Sequence, residues 1–207
     1  IEFDLADRKA LDRICRDVEA QRLRGGCFGP PCTSFSIARD RTSRIRSSIY
    51  PWGLPDLTPH NMNIVNEGNR CLQATIRIIL CLHRHKLPWI LENPQTSRIW
   101  HVTDLLHLEK DARVQTYVTD FCRFGAKWRK RTRFMLGNCD NLDAQRLDRK
   151  CQTRLFCCET KTAHIQLSGL APTGQSWTSI AQVYPRRLAK ALAHIIVSPD
   201  LSRAYNI

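Results

Sequence analysis

Apolar residues along this chain recur in two periods, short runs and helical stripes, and their alternation predicts a sheet with helices between its strands. Ile1 to Leu5 (IEFDL) reads as a buried strand with Asp4 near its C-terminal end. From Asp7, a candidate N-cap, Leu11, Ile14, Cys15, Val18 and Leu23 recur at near-helical spacing, and Gly25 and Gly26 are expected to close that helix. A further strand leads into GGCFGPPCTSFS, residues 25–36. Strand, helix, strand in that order is a βαβ unit, which predicts a largely parallel sheet. Asn69 to His85 carries Leu72, Ile76, Ile79, Leu80 and His83 on one helical side, with Pro88 beyond its end. Trp89 to Leu91 reads as a strand running straight into Glu92, Asn93 and Pro94. Thr96–Leu108 is a predicted helix, Val114–Val118 a strand, and Pro185–Val197 a last helix with Leu188, Leu192, Ile195 and Ile196 on its apolar side.

The chemistry sits where two of these strands end. Pro30 and Pro31 fix their own φ and stiffen the approach to Cys32, and Thr33, Ser34 and Ser36 surround that thiol with hydroxyls. Glu92 follows its strand in the same layout of apolar run, polar residue and proline. A parallel sheet delivers both to one edge, where open α/β sheets place their sites. Cys32 is the first candidate nucleophile. His83 and His85 stand two apart, cannot share a helical face, and make a poor metal pair.

Both motifs in this order resemble the cytosine-C5 methyltransferases, whose catalytic loop reads PPC before a Phe-Ser pair and whose second motif is Glu-Asn-Val or Glu-Asn-Pro. The resemblance implies that Cys32 adds to cytosine C6 while Glu92 donates a proton towards N3, giving an enamine that takes a methyl group from S-adenosylmethionine. Asn93 would orient the acid's loop, and Ser36 and Arg39 would meet the substrate. The family's Tyr-Gly-x-Pro-Gln-x-Arg-x-Arg motif is approached by FCRFGAKWRKRTRF, residues 121–134, with Lys127 and Trp128 in place of Pro-Gln. Arg131 and Arg133 correspond to its Arg-x-Arg end. Arg131 or Lys130 would hold the cytosine O2 and stabilise negative charge developing on the ring. Asp4 would contact the cofactor's adenine, with Pro30 and Pro31 also at the cofactor side.

The implied fold is a Rossmann-like class I methyltransferase sheet, mostly parallel, with an antiparallel hairpin strand near the C-terminus. Residues 1–137 would form a partial catalytic domain, 138–176 a short cysteine-containing insert where a target-recognition domain usually stands, and 177–207 a returning helix. The family's Phe-x-Gly-x-Gly cofactor loop does not precede Ile1 in this sequence, which implies an N-terminally truncated sheet, in a fragment or a degenerate copy.

Charge narrows the partner. A net charge of +13 in 207 residues points to a polyanion, DNA or RNA. Arg39, Arg41, Arg44 and Arg46 form a basic loop after the thiol that would close over a phosphate backbone. An inactive basic nucleic-acid-binding module and an RNA cytosine-C5 methyltransferase are the alternative readings. A Cys-His hydrolase is disfavoured because no histidine stands in a motif beside Cys32. Ten scattered cysteines without a secretory segment indicate a reducing intracellular setting, and no apolar run has transmembrane length. Cys139, Cys151, Cys157, Cys158 and His164 raise zinc as a candidate, but their spacing matches no common finger, so no metal ligands are assigned from sequence.

Overall fold

The computed structural model describes residues 7–204, so the expected strand at Ile1–Leu5, with Asp4, lies outside the described residues. Four strands form one mixed sheet: β1 (Gly26–Phe28), β2 (Trp89–Pro94), β3 (Val114–Asp120) and β4 (Arg131–Gly137), in the spatial order β1-β2-β4-β3. Strands β1, β2 and β3 run in a common direction, but only β1 and β2 are adjacent and parallel. The short connection from β3 reverses the chain into β4, which inserts between β2 and β3 and is antiparallel to both. The expectation of a largely parallel sheet is therefore corrected: one neighbouring pair is parallel and two are antiparallel.

Helices cover both faces. Helix α1 (Arg8–Glu19) is capped by Asp7, whose carboxylate accepts from Lys9 N at 2.9 Å. It ends well before the two glycines expected to close it: Gln21 takes the left-handed turn, with φ 56°, and Gly26 already pairs in β1. Leu23 is correspondingly exposed. Helix α2 (Pro59–Arg84) starts ten residues before the predicted Asn69, because Thr58 caps it and Pro59 suits its first turn. Leu72, Ile76 and Ile79 are buried on its core side, whereas Leu80 is exposed.

Alternation along β2 assigns the two cores. Trp89 and Leu91 pack with Val18, Leu72, Ile79 and Met135 under α1 and α2, while Ile90 packs with Phe134, Leu136, Leu188, Leu192 and Ile195 on the opposite face. Those last three residues belong to the C-terminal helix at Arg186–Ala204, which extends beyond the predicted Val197. Ala144 and Leu147, inside the predicted insert, share this second core. The helix expected over Thr96–Leu108 is broken. Val102, at φ −74° and ψ 131°, separates a 3-10 turn at Arg98–His101 from helix α3 (Thr103–Leu108), and Leu106 is exposed.

His83 is a core histidine. Trp89 Nε1 donates to its Nδ1 at 3.2 Å, and its Nε2 lies 3.0 Å from Asp111 Oδ2. Asp111 is held well below the usual carboxylate range, chiefly by hydrogen bonding from the Arg113 side chain and then by the Arg113 backbone N–H and His83.

Candidate active site

β2 extends through Glu92, Asn93 and Pro94, which pair with Phe134, Arg133 and Thr132 rather than forming a loop after Leu91. Successive side chains therefore leave opposite faces. Glu92 continues the Ile90 face and Asn93 the Leu91 face. From β1, on the other side of β2, the chain passes through Gly29, Pro30 and Pro31 to Cys32, and Asn93 Nδ2 donates to Pro30 O at 2.9 Å. This bond ties the two strand-end motifs together.

They meet at a cavity of about 310 Å³ lined by Gly29, Pro30, Pro31, Cys32, Thr33, Glu92, Asn93, Pro94, Lys130, Gln182 and Tyr184. That is near the lower end for ligand pockets, roughly 300–1,000 Å³, and suits a single flat ring. Glu92 is buried, at 6% exposure. Its Oε2 accepts from Tyr184 OH at 3.1 Å, while Oε1 has no hydrogen-bond partner and lies 3.6 Å from Lys130 Nζ. Burial, and then the Glu92 charge, push the Tyr184 phenol strongly upward, so Tyr184 remains a donor. Gly29 sits against this pair: a Cβ there would lie 3.3 Å from Tyr184 OH and 3.4 Å from Glu92 Oε2.

The Cys32 thiol is raised above its ordinary value of 9.0. Burial is the largest cause; Lys130 opposes it, and the Glu92 charge adds to it. The resting thiol is therefore protonated near neutrality, and Lys130 is the group that eases its ionisation.

Of the residues expected at the site, Cys32, Glu92, Asn93, Lys130, Pro30 and Pro31 come together. Arg131 and Arg133 do not. Arg131 forms a two-point ion pair with Asp120, through Nε at 3.0 Å and Nη2 at 2.7 Å, and also donates to Cys151 O. Arg133 pairs with Glu109 and stacks over Trp100 at 4.6 Å. Between the two candidate cations for a ring oxygen, the cavity holds Lys130. Ser36 caps the 3-10 turn at Ile37–Arg41, accepting from Ala38 N at 3.2 Å, and Arg39 is half-buried in that turn.

The basic loop needs a correction at Arg46, which is fully buried. Its guanidinium stacks over Phe35 at 3.8 Å and donates to Ser34 O and Oγ, Pro51 O, Asn69 Oδ1 and Val65 O. All five acceptors are neutral, and burial, with Arg98 nearby, lowers Arg46 to about 10. Rather than facing a phosphate, it pins the segment after Cys32 to α2. Arg98 secures the same segment from the other side, pairing with Asp40 through its two terminal guanidinium nitrogens and donating its backbone N–H to Phe35 O.

This clamp requires Gly68. A Cβ on Gly68 would lie 2.3 Å from Ser34 Oγ and 3.0 Å from Arg46 Nη2. Alanine in a helix interior normally gains about 1 kcal/mol over glycine. Here Gly68→Ala is expected to reverse that sign and destabilise by about 1–3 kcal/mol, through overpacking and the displaced Ser34 hydroxyl. Urea unfolding of the two proteins measures it, and a higher midpoint for Gly68→Ala contradicts the clamp.

Beside the cavity, with Tyr184 common to both, runs a groove lined by Trp128, Trp177, Lys127, Arg186 and Arg187. The two indoles stand 6.4 Å apart, between ring centroids. A separate cluster of Cys122, Cys151, Cys157 and His164 lies beyond the Asp120–Arg131 pair. Cys122 lies outside the segment whose cysteines raise zinc as a candidate, and Cys139 is elsewhere, its Sγ 3.4 Å from Gly137 O. Of the residues expected to bind S-adenosylmethionine, Asp4 lies outside the described residues and Pro30 and Pro31 belong to the Cys32–Glu92 cavity. No helix among the described residues is long and apolar enough to cross a membrane. Compared with known proteins, the chain matches no family model, no curated protein and no solved structure.

Proposed function

We propose that this chain is the base-binding and nucleophilic part of an S-adenosylmethionine-dependent cytosine-C5 methyltransferase of Rossmann-like architecture acting on DNA. The observation carrying the reading is that two motifs far apart in sequence, PPC at Cys32 and ENP at Glu92, line one small cavity with Lys130. The reversed strand β4 beside β2 also supports the implied fold.

Cytosine C5 is a poor nucleophile, and the cavity addresses that directly. Cys32 loses its proton to solvent and the thiolate adds to C6; Glu92, having taken up a proton from solvent, passes it to N3; the ring becomes an enamine with electron density at C5. Tyr184 holds Glu92 in place, and Lys130 faces the charge that develops. Reaching this cavity requires the base to leave the duplex stack. The neighbouring indoles and cations offer stacking and phosphate contacts for the strand around it. A bound methyl donor would supply an electrophilic carbon to C5.

The addition can be tested without a donor. An enamine takes a solvent proton at C5, and expulsion of Cys32 then releases the original C5 hydrogen. The protein incubated with DNA carrying [5-³H]cytosine is expected to release tritium to water, and Cys32→Ser to release none while retaining DNA affinity. DNA binding without exchange in the unsubstituted protein refutes the reading and leaves a basic binding module. A preference for RNA over DNA in the same assay redirects it to RNA.

A further inference from the structure

The chain from Cys151 to His164 is buried only where it carries a ligand atom. Cys151, Cys157 and His164 are 2%, 3% and 7% exposed, whereas Leu155 and Phe156, its largest apolar side chains, are 62% and 54% exposed. Its core is a cluster of Cys122, Cys151 and Cys157, with Cys158 packed against it. Three thiols provide little burial energy to order a polar loop. All ten cysteines are free, so no disulfide substitutes for a core.

Four potential ligand atoms converge there, all within 4.8 Å of one another. Cys151 Sγ and His164 Nε2 are 3.9 Å apart. Donors bound tetrahedrally at about 2.3 Å for sulfur and about 2.0 Å for nitrogen stand at comparable separations. The tautomer is also set. His164 Nδ1 lies 2.8 Å from Arg154 O, and since a carbonyl only accepts, Nδ1 carries the proton. Nε2 then presents its lone pair to the three sulfurs, the usual outer-sphere arrangement of a metal-binding histidine. The Cys158 backbone N–H approaches Cys151 Sγ at 3.4 Å, a contact that stabilises a thiolate.

We infer that Cys122, Cys151, Cys157 and His164 bind one zinc ion in a closed, structural Cys₃His site. Four protein donors leave no open position for substrate or water, so the ion orders the chain and takes no part in chemistry. Cys122 comes from the turn after β3 and the other three from the loop, so the metal fastens that loop to the sheet. The seam continues through Cys151 N–H, which donates to Asp120 Oδ2 at 2.6 Å, and Asp120 holds Arg131 next to Lys130.

The test is metal content, independent of any enzymatic activity. The chain expressed in zinc-supplemented medium and passed over a desalting column is expected to retain one equivalent of zinc. X-ray absorption should give three sulfurs and one nitrogen. Replacement by Co(II) should give the intense visible bands of tetrahedral thiolate coordination. Cys139→Ser and Cys158→Ser should keep the full equivalent, while Cys122→Ser and Cys151→Ser should retain less than a tenth of it. His164→Cys preserves four donors and should remain loaded with a four-sulfur signature, so loss of folding cannot account for the result. Absence of zinc and of cobalt bands in the unsubstituted chain overturns the inference. Loss of metal in Cys158→Ser with an unchanged three-sulfur, one-nitrogen shell in His164→Cys overturns the ligand assignment.

Discussion

Replacing the buried Arg46 with methionine is expected to destabilise the protein by about 3–5 kcal/mol. A buried acceptor left without its donor costs about 1–3 kcal/mol, and Arg46 serves Ser34 O, Val65 O, Pro51 O and Asn69 Oδ1 at once. The loss is a large part of a typical domain stability of about 5–15 kcal/mol. Arg46→Lys keeps the charge but offers no planar fork to stack over Phe35 and reach acceptors on three segments, and is expected to recover less than half the loss. Urea midpoints measure both variants. Alkylation of Cys32, followed by peptide mapping, should accelerate in Arg46→Met, because the clamp holds the turn in which Phe35 N donates to Cys32 O. A midpoint within experimental error of the unsubstituted protein defeats the clamp.

Arg46 also marks a limit of reading sequence. Arg39, Arg41, Arg44 and Arg46 look alike in a charge run, and nothing local distinguishes the one that is swallowed. Two of its acceptors, Val65 O and Asn69 Oδ1, lie on α2, 19 and 23 residues along the chain, and the glycine that makes room for it is in α2 too. Cys122 was missed for the same reason, since it joins Cys151, Cys157 and His164 only after β3 reaches the end of the sheet. What was legible is local chemistry: the Asp7 cap, the apolar run Trp89–Leu91 that opens β2, and the proline-containing strand ends that bring Cys32 and Glu92 to one cavity. Strand direction fell between these cases. A reversed strand was expected near the C-terminus, but its insertion between β2 and β3, which leaves one parallel neighbour pair, is set by long-range pairing.

Glu92→Gln is expected to lower the maximal rate of C5-hydrogen exchange by about 10²–10⁴-fold, the range for removing a general acid. Its pH profile should move in a direction that separates two roles of the same carboxylate. The profile is that of Cys32 alkylation, whose rate rises with pH as the thiol ionises, and that ionisation lies above 9.0 because burial and the Glu92 charge outweigh Lys130. Glutamine removes one of the two upward influences, so the thiol ionises more readily and the alkylation profile moves to lower pH even as the exchange rate falls. Lys130→Met removes the larger of the downward influences, and its profile should move to higher pH. A merely structural Glu92 predicts a lower rate with no displacement of the profile. Displacement of both variants in the same direction contradicts the arrangement in which Lys130 and Glu92 act on Cys32 with opposite sign. With Glu92 Oε1 3.6 Å from Lys130 Nζ, the two groups also bear on each other, so the double variant should fall between the singles in position while keeping the low exchange rate of Glu92→Gln. The carboxyl would thus act in two protonation states in one cavity: as a carboxylate its charge raises the Cys32 thiol, and after taking up a proton it is the acid that makes addition to the ring productive.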